Sequence, residues 1–209
     1  MKRLATTLCL LAGLLATLPA AEKPAAPKNS PPKTDTVVWA GVDYSMVRMI
    51  GPGEFTQPES IFPGMLEAWN NLFLQERLKF AEKETRKHVV VDISGVTAAN
   101  KAATSKQIIN APGSDDTVDK SHISSQDLAR AVRSYKLENK SGLGVVFVVD
   151  RLVKLDKKGR GAVYVVYFNI ETREVLFTQR KVSNAVGFGF RNYWFRVVKD
   201  AEPVLSKYR

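Results

Sequence analysis

Few residues of this 209-residue chain are suited to catalysis or to metal binding. Its two histidines, His88 and His122, are far apart and have no further histidine or cysteine at ligand spacing. The chain lacks the sequence motifs of zinc proteases, serine hydrolases and phosphate-binding loops. Asp43 and Asp92 lie in or just after predicted strands, so together they could perform general acid–base hydrolysis. We therefore expect no metal, no cofactor and no enzymatic activity, with a hydrolase that uses a carboxylate site around Asp43 and Asp92 as an alternative.

A glycine–aromatic stretch near the end of the chain, NAVGFGFRNYWFRVV, is a candidate ligand site. Gly187 and Gly189 can adopt backbone angles closed to other residues, and they precede a predicted helix whose first amides lack partners. Such a helix start attracts anions, and Arg191 would lie in its first turn. In the other interpretation, the glycines only let the chain turn from strand to helix. The neighbouring rings would then cover the edge of the sheet: Phe188, Phe190, Tyr193 and Trp194. The sequence favours this second interpretation and leaves the first open.

Positive charge is concentrated in the last quarter of the chain. The formal net charge is +10, and residues 151–209 carry 13 basic and 5 acidic side chains, whereas residues 36–150 are close to neutral. Five cations at a hairpin tip and at the end of a strand are predicted to bind a partner: Lys157, Lys158, Arg160, Arg180 and Lys181. A charged face that only contacts solvent is the other interpretation of these residues.

The first 21 residues resemble a secretory signal peptide in their layout. A positive start is followed by an apolar run from Leu4 to Leu18 and then by small residues, a run too short for a membrane-spanning helix. The only cysteine, Cys9, lies within this segment, so a processed chain would have neither a disulfide nor a thiol. We expect an exported protein, periplasmic or associated with the outer membrane, with no transmembrane segment after processing.

The remaining chain divides into a tether and one domain. Residues 22–35 are rich in Pro, Ala and Lys and have no large apolar side chain, which is typical of a flexible segment. Residues 36–209 are long enough for a single domain with a substantial core. For an exported protein with a basic surface, we expect an envelope protein or an anionic envelope polymer as partner, and no nucleic acid.

The hydrophobic pattern predicts a single α+β domain with helices packed on a mostly antiparallel sheet, in the order β-α-β-α-β-β-β-α. Three closely spaced apolar runs after Gly142 predict an antiparallel meander. Ser124 and Asp127 form a capping box that predicts the start of a helix. The polar stretch from Asn100 to Lys120 predicts a long loop.

Part of the C-terminal sequence resembles a module of bacterial envelope proteins. FNIETREVLFTQ, from Phe168 to Gln179, is similar to the strand–turn–strand motif D-x-x-T-G-E-x-L-W-S of the curli-secretion-pore family and of lipoprotein activators of penicillin-binding proteins. Thr172 and Glu174 match the motif, Asn169 replaces its aspartate and Arg173 its glycine. Leu176 and Phe177 stand for the Leu-Trp pair. The ending GFGFRNYW is also similar to exported proteins of comparable length from Gram-negative bacteria. The resemblance implies an α+β domain with a non-catalytic role and brings no catalytic residue.

These observations together predict a non-catalytic interaction module of the cell envelope that binds a protein or an anionic envelope component. The alternatives are a binder of small anionic ligands at Gly187–Arg191 and the carboxylate hydrolase described above.

Overall fold

The computed structural model describes most of the chain after the predicted tether: residues 30–51, 53, 55–139, 141–156 and 158–209. The predicted signal segment, most of the tether and the predicted partner-binding residue Lys157 lie outside the described residues. Within the described ranges, no helix is both long and apolar enough to cross a membrane.

A single seven-stranded sheet organises the fold. Its strands are β1 Thr36–Asp43, β2 Arg48–Ile50, β3 His88–Val91, β4 Ile108–Ile109, β5 Leu143–Leu155, β6 Lys158–Asn169 and β7 Val175–Ala185. One edge of β5 pairs in parallel first with β1 and then, further along, with β2. Strand β3 pairs in parallel with β1, and β4 pairs in parallel with β2. The other edge of β5 pairs antiparallel with β6, which in turn pairs antiparallel with β7.

The predicted mostly antiparallel sheet is therefore wrong. The five strands in the order β3-β1-β5-β2-β4 are all parallel, which places the protein in the α/β class. The antiparallel meander predicted for the last three strands is present, but it forms only one side of the sheet. The sequence pattern failed because Val37 pairs with Val89 and Leu143, which are remote in sequence. Parallel pairs need long crossover connections, and those connections leave no local turn signal.

The helices lie in the connections between strands and at the C-terminus. They are α1 Pro58–Ser60, α2 Leu66–Leu72, α3 Leu78–Thr85, α4 Ser94–Asn100, α5 Asp115–Asp119, α6 Ser125–Ser134 and α7 Gly189–Lys199. Two π-helical segments, Ile61–Met65 and Phe73–Arg77, join the first three helices, and 3₁₀ segments span Ser105–Gln107 and Glu202–Tyr208. The stretch predicted as a long loop after Asn100 thus contains a 3₁₀ turn, β4 and α5.

The capping box that predicts α6 is confirmed. The Ser124 hydroxyl accepts a hydrogen bond from Asp127 N at 3.2 Å, and the Asp127 carboxylate accepts one from Ser124 N at 3.0 Å. These two bonds satisfy amides at the helix start that would otherwise lack partners. Leu128 and Val132, on the apolar stripe of this helix, are buried.

Helices cover both faces of the sheet. On one face, which we call the α7 face, Trp39 stacks on Phe73 with ring centroids 3.8 Å apart, and Trp194 of α7 belongs to the same buried cluster. On the opposite α6 face, Val38 packs in one cluster with Val132 of α6. Because both faces are covered, the central strands are apolar almost throughout, as is usual for buried parallel strands. Each buried ring contributes about 2–3 kcal/mol.

Candidate functional site

An exposed apolar turn connects β7 to α7. We call the segment Val186–Phe188 the apolar turn. The exposed fraction of Phe188 is 94% and that of Val186 is 62%, the two highest among the large hydrophobic residues described as exposed. The prediction that Phe188 covers the sheet edge is therefore wrong. Trp194 is buried because it lies on the sheet-facing side of α7, whereas Phe188 precedes the first turn of that helix.

A broad groove lies on one side of the apolar turn. It has a volume of about 1240 Å³ and brings Lys158 and Arg160 of β6 next to Gly187 of the turn and Tyr193 of α7. The close approach of α7 to the sheet depends on Gly159, since a Cβ there would lie 2.7 Å from the Tyr193 hydroxyl. The fold thus places residues from both predicted binding sets around one groove.

The two cations in this groove, Lys158 and Arg160, differ in whether an acidic residue of the protein already pairs with them. Arg160 forms ion pairs with Asp115 and, at 3.2 Å, with Asp119, both from α5. Its charge is therefore already balanced by these two carboxylates. Lys158 is exposed and forms no ion pair with any residue that the structure describes. Of these two cations, only Lys158 has a charge free for a partner.

A second groove, of about 670 Å³, lies on the other side of the turn and shares Val186 with the first. Arg196 in its lining pairs with Asp200 at 2.7 Å. Lys181 and Lys199 also line this groove, and neither forms a salt bridge with a residue that the structure describes. The second groove therefore adds two lysines to this face of the protein, although Asp200 and Glu202 line it as well.

Gly189 and Arg191, predicted as anion-binding residues, lie at the start of α7 next to the same turn. Gly189 is the first residue of the helix and has a φ of 73°, a value that favours glycine. Phe188 occupies the N-cap position and provides no side-chain cap. The Arg191 guanidinium is exposed, and among the described residues its only side-chain hydrogen bond is to Asn192, at 3.3 Å, so it adds a fourth available cation.

Arg180 does not belong to this surface, contrary to the prediction that it binds a partner. Its Nε donates to Asp150 Oδ2 at 2.6 Å, and its other nitrogens donate to the Val118 and Asp119 carbonyls. His122 Nδ1 lies 2.7 Å from the other Asp150 oxygen. Burial raises the pKa of Asp150, but the close contact with His122 and the hydrogen bond and charge of Arg180 outweigh it and hold that pKa below its usual value. Arg180 therefore neutralises a fully buried carboxylate.

Asp43 and Asp92 each accept structural hydrogen bonds. Asp43 accepts hydrogen bonds from the Tyr135 hydroxyl at 2.5 Å and from Ser45 N at 2.7 Å. Asp92 accepts bonds from the Ser94 hydroxyl and from two backbone amides after α6. Asp92 N bonds the Trp39 carbonyl, four residues before Asp43. Both carboxylates thus hold the connection between α6 and β5, Asp43 through Tyr135 and Asp92 through Glu138 and Asn139.

Sequence reasoning missed two parts of this arrangement. The two glycines that flank Phe188 are a sequence signal for its exposure, because they offer no side chains against which the ring could pack. The pairing of Asp150 with His122 and Arg180 has no local signal, because the three residues come from different segments.

A scan of protein-family models and searches of curated proteins and of solved structures found no match to this chain.

Proposed function

We propose that this protein is an exported, non-catalytic binding module of the cell envelope that docks reversibly on an anionic lipid surface through the apolar turn. The observation that carries the proposal is the 94% exposure of Phe188 next to cations that form no salt bridge with a described residue. Arg191 lies in the first turn of the helix that follows Phe188, and Lys158 lines the groove beside the apolar turn. Lys181 and Lys199 lie further away, in the second groove that Val186 also lines.

The energies favour a reversible attachment. Burying the Phe188 ring in the boundary between headgroups and acyl chains would contribute about 2–3 kcal/mol. Each lysine or arginine near an anionic membrane surface contributes about 1 kcal/mol, and salt screens this attraction over a Debye length of about 10 Å at 0.1 M. Neither contribution alone gives stable attachment, so we expect binding to need both the ring and the cations.

The sequence gives independent support for an envelope location. The N-terminal segment has the layout of a secretory signal, and the turn after Phe168 resembles modules of envelope proteins. In that compartment, phosphate-bearing lipids are the anionic surface that also offers an apolar layer for Phe188. A soluble anionic polymer would satisfy the cations but would leave the ring exposed.

Flotation of the purified protein with lipid vesicles tests the proposal. We expect binding to phosphatidylglycerol-rich vesicles, weak binding to phosphatidylcholine vesicles, and weaker binding as the salt concentration rises. Phe188→Ser should reduce binding about tenfold or more, which corresponds to the loss of about 2 kcal/mol. The double variant Lys181→Gln, Lys199→Gln should also reduce binding and should lower the salt dependence.

Matched controls are available elsewhere on the surface. Val91→Ser removes another exposed apolar side chain, and Lys136→Gln removes an exposed lysine far along the chain from the turn, so both should bind as the wild type does. Equal binding of all variants, or no vesicle binding at all, would contradict lipid docking. Thermal stabilisation by inorganic phosphate that is lost in Arg191→Ala, without vesicle binding, would favour the small-anion alternative instead.

A further inference from the structure

A small cleft opens where β1 and β3 end. It has a volume of about 180 Å³, and residues after both strands and from two helices line it: Tyr44, Pro63, Glu67, Asn70, Asn71, Ile93, Thr97, Asn100 and Lys101. None of these residues belongs to the basic surface around the apolar turn. The cleft therefore calls for a separate explanation.

The topology of the sheet creates this cleft. After β1 and β2 the chain continues into α2, which packs on the α7 face, whereas after β3 it continues into α4, which packs on the α6 face. The two connections leave neighbouring parallel strands in opposite directions, so a crevice forms between them at the carboxyl ends. In open α/β sheets, ligands bind preferentially in crevices of this kind.

Two buried asparagines hold the crevice in shape. Asn70 of α2 exchanges two hydrogen bonds with the backbone of Val42, at 2.7 and 3.2 Å. Asn100 of α4 accepts a bond from Tyr44 N at 2.8 Å and donates one to the Val42 carbonyl at 3.0 Å. These amides use their hydrogen-bonding groups to fix both helices to the end of β1, so they shape the floor of the cleft and leave recognition to other residues.

Tyr44 supplies a hydroxyl to the lining of the cleft. The residue as a whole is only 2% exposed, and its hydroxyl forms no hydrogen bond with any described residue. Burial, with smaller contributions from the charges of Glu67 and Asp43, raises the pKa of this hydroxyl, so it stays protonated and can donate. Tyr44 lines the cleft, so its hydroxyl is a hydrogen-bond donor that a ligand there could use.

Two opposite charges face the cleft from its two walls. Glu67 comes from α2 and Lys101 directly follows α4, and neither takes part in an ion pair within the ranges that the structure describes. Asn71 and Thr97 add an amide and a hydroxyl that also have no side-chain bonds there. A neutral ligand would leave both charges unpaired, whereas a molecule with one cationic and one anionic end would satisfy both.

We propose that the cleft binds a free amino acid, with its ammonium group toward Glu67, its carboxylate toward Lys101 and the Tyr44 hydroxyl donating to the ligand. The small volume agrees with such a ligand, because sites for drug-sized molecules occupy about 300–1,000 Å³. Pro63 and Ile93 provide the apolar wall for a short side chain.

Titration of the ¹⁵N-labelled protein with three related probes tests this site by NMR. L-Alanine carries both charges, propionate only the carboxylate and ethylamine only the ammonium group. We expect saturable shifts of the amides of Tyr44, Thr97 and Lys101 with alanine. Binding of each single-charge analogue should be about tenfold weaker or more, as expected for the loss of one charge-assisted hydrogen bond.

Substitutions of cleft residues test whether these side chains bind the ligand without disturbing the fold. Glu67→Gln and Lys101→Met change exposed side chains, so both should fold normally and weaken alanine binding about tenfold. Tyr44→Phe should weaken it about threefold to tenfold. Glu76→Gln and Lys106→Met alter exposed charges outside the cleft and should leave alanine binding unchanged.

Two results would overturn the proposal. One is the absence of saturable shifts with alanine in the wild type. The other is binding that propionate or a neutral sugar reproduces with equal affinity and that Glu67→Gln does not change. Since this assay uses no lipid and no residue of the apolar turn, its outcome is independent of the vesicle experiment.

Discussion

Arg180 and Lys181 are neighbours in β7, yet they belong to two different regions of the molecule. Arg180 points to the α6 face, is only 14% exposed and pairs with the buried Asp150. Lys181 lies on the other side of the strand, exposed beside the apolar turn and without an acidic partner among the described residues. Alternation along a strand is sufficient to separate an internal cation from one that is free to bind.

The difference shows that net charge alone does not reveal a binding surface. The last quarter of the chain has an excess of basic side chains, but Arg160 and Arg180 are occupied by carboxylates of the same protein. Arginine suits such internal roles because its planar guanidinium can bond several oxygens at once, as Arg180 does with Asp150 and two carbonyls. Lysine predominates among the cations that stay available around the apolar turn.

The largest expected effect comes from removing the internal cation. Arg180→Met should destabilise the protein by about 3 kcal/mol, because it leaves the fully buried Asp150 short of a partner. Lys181→Met, one residue away, should change the free energy of unfolding by less than about 0.5 kcal/mol. Urea denaturation of both variants measures the contrast. Equal stability of the two variants would contradict the division of β7 cations into internal and available groups.

The dependence of the unfolding free energy on acidic pH should also change in Arg180→Met. The pKa of Asp150 is lowered in the folded protein, so the stability that this carboxylate contributes is fully present above its unfolded pKa of about 4. That stability is lost as the pH falls through the lower pKa of the folded state. Without Arg180 this pKa should rise toward its ordinary value, so the unfolding free energy should depend less steeply on pH below about 4.

Two further residues, Asp92 and Lys181, show how much of the acid dependence of stability should change in Arg180→Met. The pKa of Asp92 is also lowered, since hydrogen bonds from Ser94, Asn139 and Glu138 outweigh its burial. Some acid dependence should therefore persist in Arg180→Met, while Lys181→Met should retain the wild-type profile. Denaturant titrations at a series of acidic pH values provide the test. An unchanged slope in Arg180→Met would show that Arg180 does not set the pKa of Asp150.

Elements with a strong local signal could be predicted from the sequence. The meander of β5, β6 and β7 follows from three adjacent apolar runs, and α6 follows from the capping box at Ser124 and Asp127. Both kinds of signal lie within a few residues of the structure that they specify. The helical character around Trp69 and Phe73 is predicted for the same reason.

Features that depend on remote residues could not be predicted. The parallel sheet requires β1 to meet β3 and β5 across long connections, and the local pattern is the same for either strand direction. The amino-acid cleft assembles Tyr44, Glu67 and Lys101 from three separate segments. Which cations are free likewise depends on where Asp150 and the acidic residues of α5 lie after folding.

Arg173 belongs neither to the internal cations nor to the available ones, and it gives the smallest expected effect. Its φ is 60°, in the left-handed region that favours glycine, and its Nη1 is buried without a hydrogen-bond partner among the described residues. Arg173→Gly should therefore relieve strain and stabilise the protein by about 0.5 kcal/mol, after the added flexibility of the unfolded chain is subtracted.

Arg173→Ala is the matched control, because alanine removes the same side chain but keeps the unfavourable backbone conformation. Thermal unfolding should place the glycine variant above the wild type and the alanine variant below the glycine variant. The turn itself should persist in both, since Asn169 Oδ1 accepts the amides of Glu171 and Thr172, and Arg173 N bonds the Asn169 carbonyl. A loss of stability in both variants would mean that the Arg173 side chain, like that of Arg180, makes an internal contribution that outweighs its backbone strain.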